Sequence, residues 1–313
     1  MKLLLALMLC AFALNAAEPP ETVVVTASRF EQPLSSVSSS ISVLDQEAID
    51  FVDAVHVNQL LTRVPGTWIS RGNGQEHLTA IRSPVFTGPG SCGNFYMAED
   101  GIPLRGTGFC NVNQLFDVNT EQAGSIEVIR GPGTTSHGAN AMHGVINVIS
   151  RAPAEQAGGD VGLELGPHDY RRLKLDYSYH SGRHAGRLST HAVHDGGYKD
   201  NSGFDQQKLN YRHDYFGNLW QVKNLISVSN LNQDTAGFIE GKDAYQKEDR
   251  LKAHPNPEAF RDNRVARAYS RWLRPMGSGG LLVTPYVRYV DSDFLLHFLP
   301  GQPLEENGQW GIG

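Results

Sequence analysis

From about residue 159 onward, apolar and polar residues alternate with a period of two. The clearest run places Leu173, Leu175, Tyr177 and Tyr179 between charged or polar neighbours. Because successive side chains of a strand point to opposite faces, this pattern predicts strands with one apolar face. Such strands are typical of a membrane β-barrel, in which backbone groups pair with one another and only side chains meet lipid. A secreted β-sandwich would alternate in the same way, so the pattern alone leaves both folds open.

Polar segments interrupt the alternating runs. Residues 214–217, Asp-Tyr-Phe-Gly, predict a tight turn, and residues 230–263, rich in Asp, Glu, Lys and Asn, predict a long loop. In a barrel the tight turn would be periplasmic and the long loop extracellular. Aromatic residues near the predicted strand ends fit an interfacial girdle: Tyr170, Tyr215, Trp220 and Trp272.

Residues 35–150 have a mixed pattern instead. Two short helices are predicted, from Asp45 to Phe51 with Asp45 as the N-cap, and from Val57 to Thr62. Apolar runs at 126–129 and 145–149 predict two buried strands on either side of a Gly-rich segment. A phosphate-binding loop would need Lys-Ser or Lys-Thr after the glycines, and this segment has neither. The pattern therefore predicts a small α+β domain.

The N-terminus has the pattern of a secretory signal peptide over residues 1–17. Lys2 precedes an apolar run from Leu3 to Leu14, and small residues follow at Ala16 and Ala17. A lipoprotein modified at Cys10 is the alternative, but the three residues before it are not small. Residues 18–34 contain prolines around the run Val23 to Val25, so this segment is predicted to be extended and mobile or lightly held.

Charge and motifs exclude other classes of protein. The net charge of -6 and the lack of a basic patch argue against nucleic-acid binding. Neither Gly-x-Ser-x-Gly nor His-Glu-x-x-His occurs, so no enzyme activity is predicted. His137 and His143 are six residues apart with no carboxylate motif, so no metal site is predicted there.

Four segments, in order along the chain, carry a resemblance to a known family. They are LLTRVPGTWIS at 60–70, LTAIRSP at 78–84, YMAEDGIPL at 96–104 and IEVIRGP at 126–132. Together with ETVVVTA at 21–27, they resemble the plug domain of TonB-dependent outer-membrane receptors. Ser83 departs from the family's usual Gly, which affects only the local turn. The resemblance implies an α+β plug domain over residues 35–153, followed by the first strands of an antiparallel transmembrane β-barrel over residues 154–313.

The resemblance also implies roles for individual residues. The segment before the plug would be the TonB box, which pairs as an added strand with the periplasmic TonB protein. Its residues are Glu21, Thr22, Val23, Val24, Val25, Thr26 and Ala27. An ordinary edge strand is the alternative for this segment. Arg82 and Arg130 match the family's two plug arginines that form a latch with barrel carboxylates, which are expected beyond residue 313.

Two plug loops hold the remaining candidates. Once Cys10 is removed, Cys92 and Cys110 form an even pair in an oxidising compartment, which predicts a disulfide. Two free thiols or a metal pair are the alternatives. Aromatic and amide side chains suit a large polar ligand or packing against barrel loops. The candidate ligand-binding residues are Phe86, Asn94, Phe95, Tyr96, Phe109 and Asn111.

Size indicates that the barrel is incomplete. A plug of roughly 130 residues has a radius of gyration of about 14 Å, and plugged transporters need about 22 strands. Residues 159–313 supply about seven or eight strands of ~10 residues with their turns. We therefore expect an N-terminal portion of a longer receptor, or a truncated product.

The resemblance implies a transporter in the bacterial outer membrane that contacts lipid, TonB and a small metal chelate. It would have no resident cofactor, and its transported ligand would be a ferric siderophore. Cobalamin, another metal chelate or a glycan is the alternative ligand. A passive porin or an adhesin is the alternative class of protein, but it would need neither a TonB box nor a plug.

Overall fold

The computed structural model of the chain describes residues 23–24, 32–86, 94–106, 113–138, 140–277, 279–295 and 304–313. Within these ranges, a small α+β domain precedes a nine-stranded antiparallel sheet. In the same ranges, no helix has the length and apolar character needed to cross a membrane.

Both predicted helices of the small domain form. Helix α1, Gln46–Val52, begins after Asp45, whose Oδ1 accepts the Ala48 N–H at 2.8 Å. Helix α2, Val57–Leu61, begins after His56, whose Nδ1 accepts the Asn58 N–H at 3.0 Å. Both caps satisfy N–H groups that have no partner within the helix. The predicted N-cap at Asp45 is thus confirmed.

The small domain also contains short strands, and two 3₁₀ turns, Gln114–Asp117 and Thr120–Gln122, lead into its longest strand. The strands are Val23–Val24 (β1), Gln32–Pro33 (β2), Ile41–Asp45 (β3), Thr67–Arg71 (β4), His77–Ile81 (β5), Phe95–Glu99 (β6), Ile102–Pro103 (β7), Ala123–Arg130 (β8) and Gly144–Ser150 (β9). Five of them form a sheet in the order β3-β8-β9-β6-β7, in which only the β6–β9 pair is parallel. β1 pairs with β2, and β4 pairs with β5. The two strands predicted at 126–129 and 145–149 are the central pair β8–β9, which is buried on both faces.

The large sheet follows the sequence order. Its strands are Gly158–Leu165 (β10), Arg171–Ser181 (β11), His184–Asp195 (β12), Phe204–Phe216 (β13), Gln221–Asp234 (β14), Phe260–Met276 (β15), Gly279–Val283 (β16), Tyr286–Phe294 (β17) and Glu305–Ile312 (β18). Each strand pairs antiparallel with the next, except that β16 and β17 both pair with β15, at opposite ends of it. Among the described residues, β10 pairs only with β11 and β18 only with β17, so the sheet is open.

Side chains of the large sheet alternate as predicted. Leu173 and Tyr177 are about half exposed, at 47% and 49%, whereas Arg172 and Ser178 are 1% exposed. The polar side chains therefore face the small domain, and the apolar side chains face away from it. This arrangement is expected of a barrel wall in lipid.

Two predicted boundaries and one predicted role were wrong. β13 continues to Phe216, so the turn is 217–220, and the long connection is 235–259 rather than 230–263. Phe216 continues the β13–β14 pairing opposite Gln221. The ends of β14 and β15 bond to the small domain, as Gln233 Oε1 does by accepting the Gln75 N–H at 2.7 Å. Tyr170 packs against the buried cluster of Phe116 and Val193 instead of joining a lipid-facing girdle.

Candidate functional site

The inner face of the large sheet is lined with basic side chains. They occupy inward positions on strands β11 to β17 and are Arg172, Lys174, Arg187, Lys208, Arg212, Lys223, Arg261, Arg267, Arg271 and Arg288. Carboxylates of the small domain lie opposite several of them. Ion pairs therefore join the two parts of the molecule.

Two of these ion pairs are nearly inaccessible to solvent. Lys208 Nζ lies 2.9 Å from Oε1 and 3.0 Å from Oε2 of Glu121. Arg267 Nε donates to Glu99 Oε2 at 2.9 Å, and Asn210 donates to the other oxygen at 2.9 Å. Burial opposes ionisation of Glu121, but the Lys208 ammonium outweighs it and lowers the pKa of that carboxyl.

Asp100 is placed by the β6–β7 hairpin. Asp100 and Gly101 form its turn with φ values of 49° and 80°, and two adjacent positive φ values are typical of a type I′ turn. The Asp100 carboxylate accepts from Lys223 Nζ at 2.8 Å and from Tyr269 Oη at 2.7 Å. Burial opposes ionisation, but Lys223 and Arg271 outweigh it and hold the pKa of Asp100 well below its usual range.

Further ion pairs hold the rim of the small domain. Arg172 Nη2 lies 2.9 Å from Asp53, which Lys174 also contacts. Arg261 Nε lies 3.0 Å from Glu76 Oε1. Five carboxylates of the small domain, Asp53, Glu76, Glu99, Asp100 and Glu121, thus pair with lysines and arginines of the sheet.

The sequence reasoning missed this set of charges. It selected arginines on the small domain, whereas the observed pairs place carboxylates there and cations on the sheet. A signal was present in the period-two pattern, since inward positions such as 172, 174, 208 and 267 carry Lys or Arg.

Arg82 and Arg130 lie next to each other on the small domain. Arg82 donates to the Arg130 carbonyl at 3.4 Å and to Ser40 Oγ at 3.2 Å, and Arg130 donates to the Pro65 carbonyl at 3.1 Å. Neither arginine forms an ion pair within the part of the chain that the structure describes. Their latch role stays a prediction.

Some predicted ligand-binding residues come together in one cluster. The Phe86 ring stacks on His143 with centroids 5.1 Å apart, and it lies 6.5 Å from the Phe95 ring. Asn94 and Phe95 are buried, and Tyr96 Oη donates to the Gly101 carbonyl at 3.2 Å. Phe109 and Asn111 lie outside the described residues, as do Cys92 and Cys110 of the predicted disulfide.

Within the predicted TonB box, the structure describes the whole of Val24 and the backbone of Val23. The other residues of the box lie outside the described residues: Glu21, Thr22, Val25, Thr26 and Ala27. Val24 is fully buried and packs in a cluster with Ile129, Ala141 and Val145. The predicted extended conformation is confirmed at Val23 and Val24, and the side chain of Val24 is held by this cluster. An apolar, β-branched side chain gains free energy by covering apolar side chains on one face of the small domain's sheet.

Within the described ranges, no three His, Cys, Asp or Glu side chains are grouped so that they could hold a metal ion. Charge pairing and apolar packing, rather than metal coordination, characterise the contact between the two parts in those ranges.

Comparison with known proteins identifies the small domain. Residues 33–145 match the family model of the TonB-dependent receptor plug domain. The vitamin B12 transporter BtuB of Vibrio cholerae serotype O1 is 32% identical over 163 residues, which cover 51% of this chain and 26% of that protein. BtuB of Vibrio vulnificus is 30% identical over 196 residues, which cover 61% of this chain and 30% of that protein.

Solved structures share the whole arrangement. The unliganded ferric citrate transporter FecA superposes with a TM-score of 0.72 at 16% identity, over 88% of this chain and 43% of that one. The ferric-catecholate import receptor Fiu of E. coli K12 superposes with a TM-score of 0.68 at 17% identity, over 94% of this chain and 47% of that one. At such identities the likeness concerns the fold.

The plug-domain match, the BtuB relatives and the superposed receptors together support a TonB-dependent receptor of the outer membrane. The small domain is the plug, and the large sheet is part of the barrel wall. The chain spans about a quarter to a third of the length of the BtuB relatives and less than half of the solved receptors.

Proposed function

We propose that this chain forms the plug and first wall strands of a transporter that imports a metal chelate with energy from TonB. The observation that carries the proposal is a plug held against the wall by paired charges, with a TonB-box-like strand at its N-terminus. Charge-assisted bonds are directional, yet water can replace each partner when the plug moves. Such an interface suits a plug that is displaced and returns.

Val24 supports the coupling step. β1 pairs with β2, and its other edge has no strand partner within the described residues. A partner strand added at that edge would need the backbone N–H groups of the box. Pulling on it would draw Val24 out of its apolar cluster with Ile129 and Val145.

The ligand proposed from the sequence is a ferric siderophore. The iron receptors among the solved structures favour it through their fold, whereas the BtuB relatives favour a corrinoid through sequence identity. Cobalamin is therefore the second candidate. We further propose that Arg82 and Arg130 form a latch and that Cys92 and Cys110 form a disulfide.

The test is uptake of a panel of radiolabelled ferric siderophores and cyanocobalamin by cells that carry the gene, with and without Val24→Pro. Proline removes the N–H that strand addition requires, so uptake should be lost while the receptor still reaches the outer membrane. Val24→Ala is the matched control, because it keeps the N–H and should retain uptake. Uptake that persists with Val24→Pro would contradict TonB coupling, and the compound taken up would name the ligand class.

A further inference from the structure

A cavity of about 480 Å³ lies between the plug and the wall. The β6–β7 hairpin and residues around His137 form its plug side. Strands β15 to β17 form its wall side, where Arg271, Tyr286 and Arg288 line it. Because Arg271 is close to Met276, the last residue of β15, the cavity lies in the half of the wall near that end of β15.

Three guanidinium groups line this cavity, those of Arg105, Arg271 and Arg288. Arg288 Nη1 donates to the Pro103 carbonyl at 2.9 Å and also contacts the Arg105 carbonyl. Arg271 donates to the Asp100 carbonyl. Backbone oxygens thus orient two of the arginines. Over the described ranges none of the three lies within 4.0 Å of a carboxylate oxygen, and Arg271 acts on the Asp100 carboxylate only from a longer distance.

One carboxylate, that of Asp100, also lines the cavity. Lys223 and Tyr269 already bind its two oxygens, at 2.8 Å and 2.7 Å. The Lys223 ammonium compensates this negative charge, so the three guanidinium charges remain in excess.

Two guanidinium nitrogens are buried without a hydrogen-bond partner among the described residues, Nη2 of Arg105 and Nε of Arg271. A buried donor that lacks a partner costs about 1–3 kcal/mol, and more when it is charged. A planar guanidinium matches the two oxygens of a carboxylate or phosphate. An anion in the cavity would satisfy both donors and offset the excess charge.

We propose that this cavity is a binding site for an oxyanion, a carboxylate or phosphate group of a solute, held by Arg105 and Arg271. The site lies next to the apolar cluster that buries Val24 of the N-terminal strand β1. Tyr96 and Val145 belong to this cluster and also line the cavity.

The experiment measures binding by isothermal titration calorimetry of the purified protein in detergent at low salt. Inorganic pyrophosphate and propane-1,2,3-tricarboxylate are the two probes, and each is titrated separately. Arg105→Gln is the main variant, since the Arg105 side chain forms no hydrogen bond or ion pair within the described residues and its loss should leave the fold intact. Arg105→Lys keeps the positive charge but lacks the planar guanidinium group. Arg264→Gln is the matched control, because Arg264 is an exposed arginine on the opposite face of β15.

We expect one equivalent of a probe to bind, and Arg105→Gln to weaken binding about tenfold or more. Arg105→Lys should recover part of that loss, and Arg264→Gln should bind like the wild type. A preference for pyrophosphate or for the tricarboxylate would tell which oxyanion the site takes. The proposal is overturned if neither probe binds, or if Arg105→Gln and Arg264→Gln bind equally well.

Discussion

Lys208 of the wall and Glu121 of the plug form a two-pronged ion pair, with Nζ 2.9 Å and 3.0 Å from the two carboxylate oxygens. Their side chains are 1% and 2% exposed. Removing charges from water is expensive, and only the attraction between the partners compensates for it. This contact therefore depends on both residues being present.

Lys208→Met should lower the free energy of unfolding by about 3–5 kcal/mol, because it leaves the Glu121 carboxylate buried without a partner. Urea titration of the refolded protein measures the loss. The double variant Lys208→Met, Glu121→Gln should recover most of it, since no charge is then left unpaired. Lys242→Met, on the exposed connection 235–259, is the control and should have little effect. A double variant no more stable than Lys208→Met would contradict this account.

Asp117 should make stability depend on pH. Burial raises the pKa of Asp117 to about 7, against the opposing influence of Arg267 and Lys208. A carboxyl with a raised pKa in the folded state binds its proton more tightly there than in the unfolded chain. Its contribution to stability is therefore fully present below about pH 4 and is lost as the pH rises to 7.

The Asp117→Asn variant isolates this contribution. His56 and His77 act in the opposite direction, because burial lowers their pKa values to about 3 and about 4. The informative quantity is thus the difference between wild type and Asp117→Asn in unfolding free energy at pH 5 and pH 7.5. We expect the wild type to lose stability relative to the variant at the higher pH. A difference that does not change with pH would show that Asp117 does not titrate in this range.

An arginine introduced on the outward face of β14 should destabilise the protein more at the middle of the bilayer than near its surface. Val228, at the middle of the strand, is 43% exposed on the face directed away from the plug. Val228→Arg should destabilise the protein in lipid vesicles by about 2–4 kcal/mol, as expected for arginine at the middle of a bilayer. Asp234→Arg, on the same face at the end of the strand, should cost about 0–1 kcal/mol. Equal costs at both positions would argue against a lipid-facing surface.

Local patterns in the sequence predicted the secondary structure, and the resemblance to the receptor family extended this to the fold class. The period of two gave the wall strands and their apolar face, and Asp45 marked the start of the first helix. Asp100 and Gly101 have the residue types that a two-residue hairpin requires. These features depend on neighbours a few residues apart, so the sequence alone carries them.

Tertiary structure decided which charges meet. Glu121 and Lys208 are 87 residues apart in the chain, and Glu99 and Arg267 are 168 apart. No local pattern specifies such partners, because they depend on the position and orientation of the plug relative to the wall. The meeting of Arg105 with Arg271 and Arg288 depends on the same contact between plug and wall, whereas Val24 is buried by packing within the plug. The sequence thus determined the strands, their apolar faces and the family, whereas the packing of two separately patterned parts created the interface and its cavity.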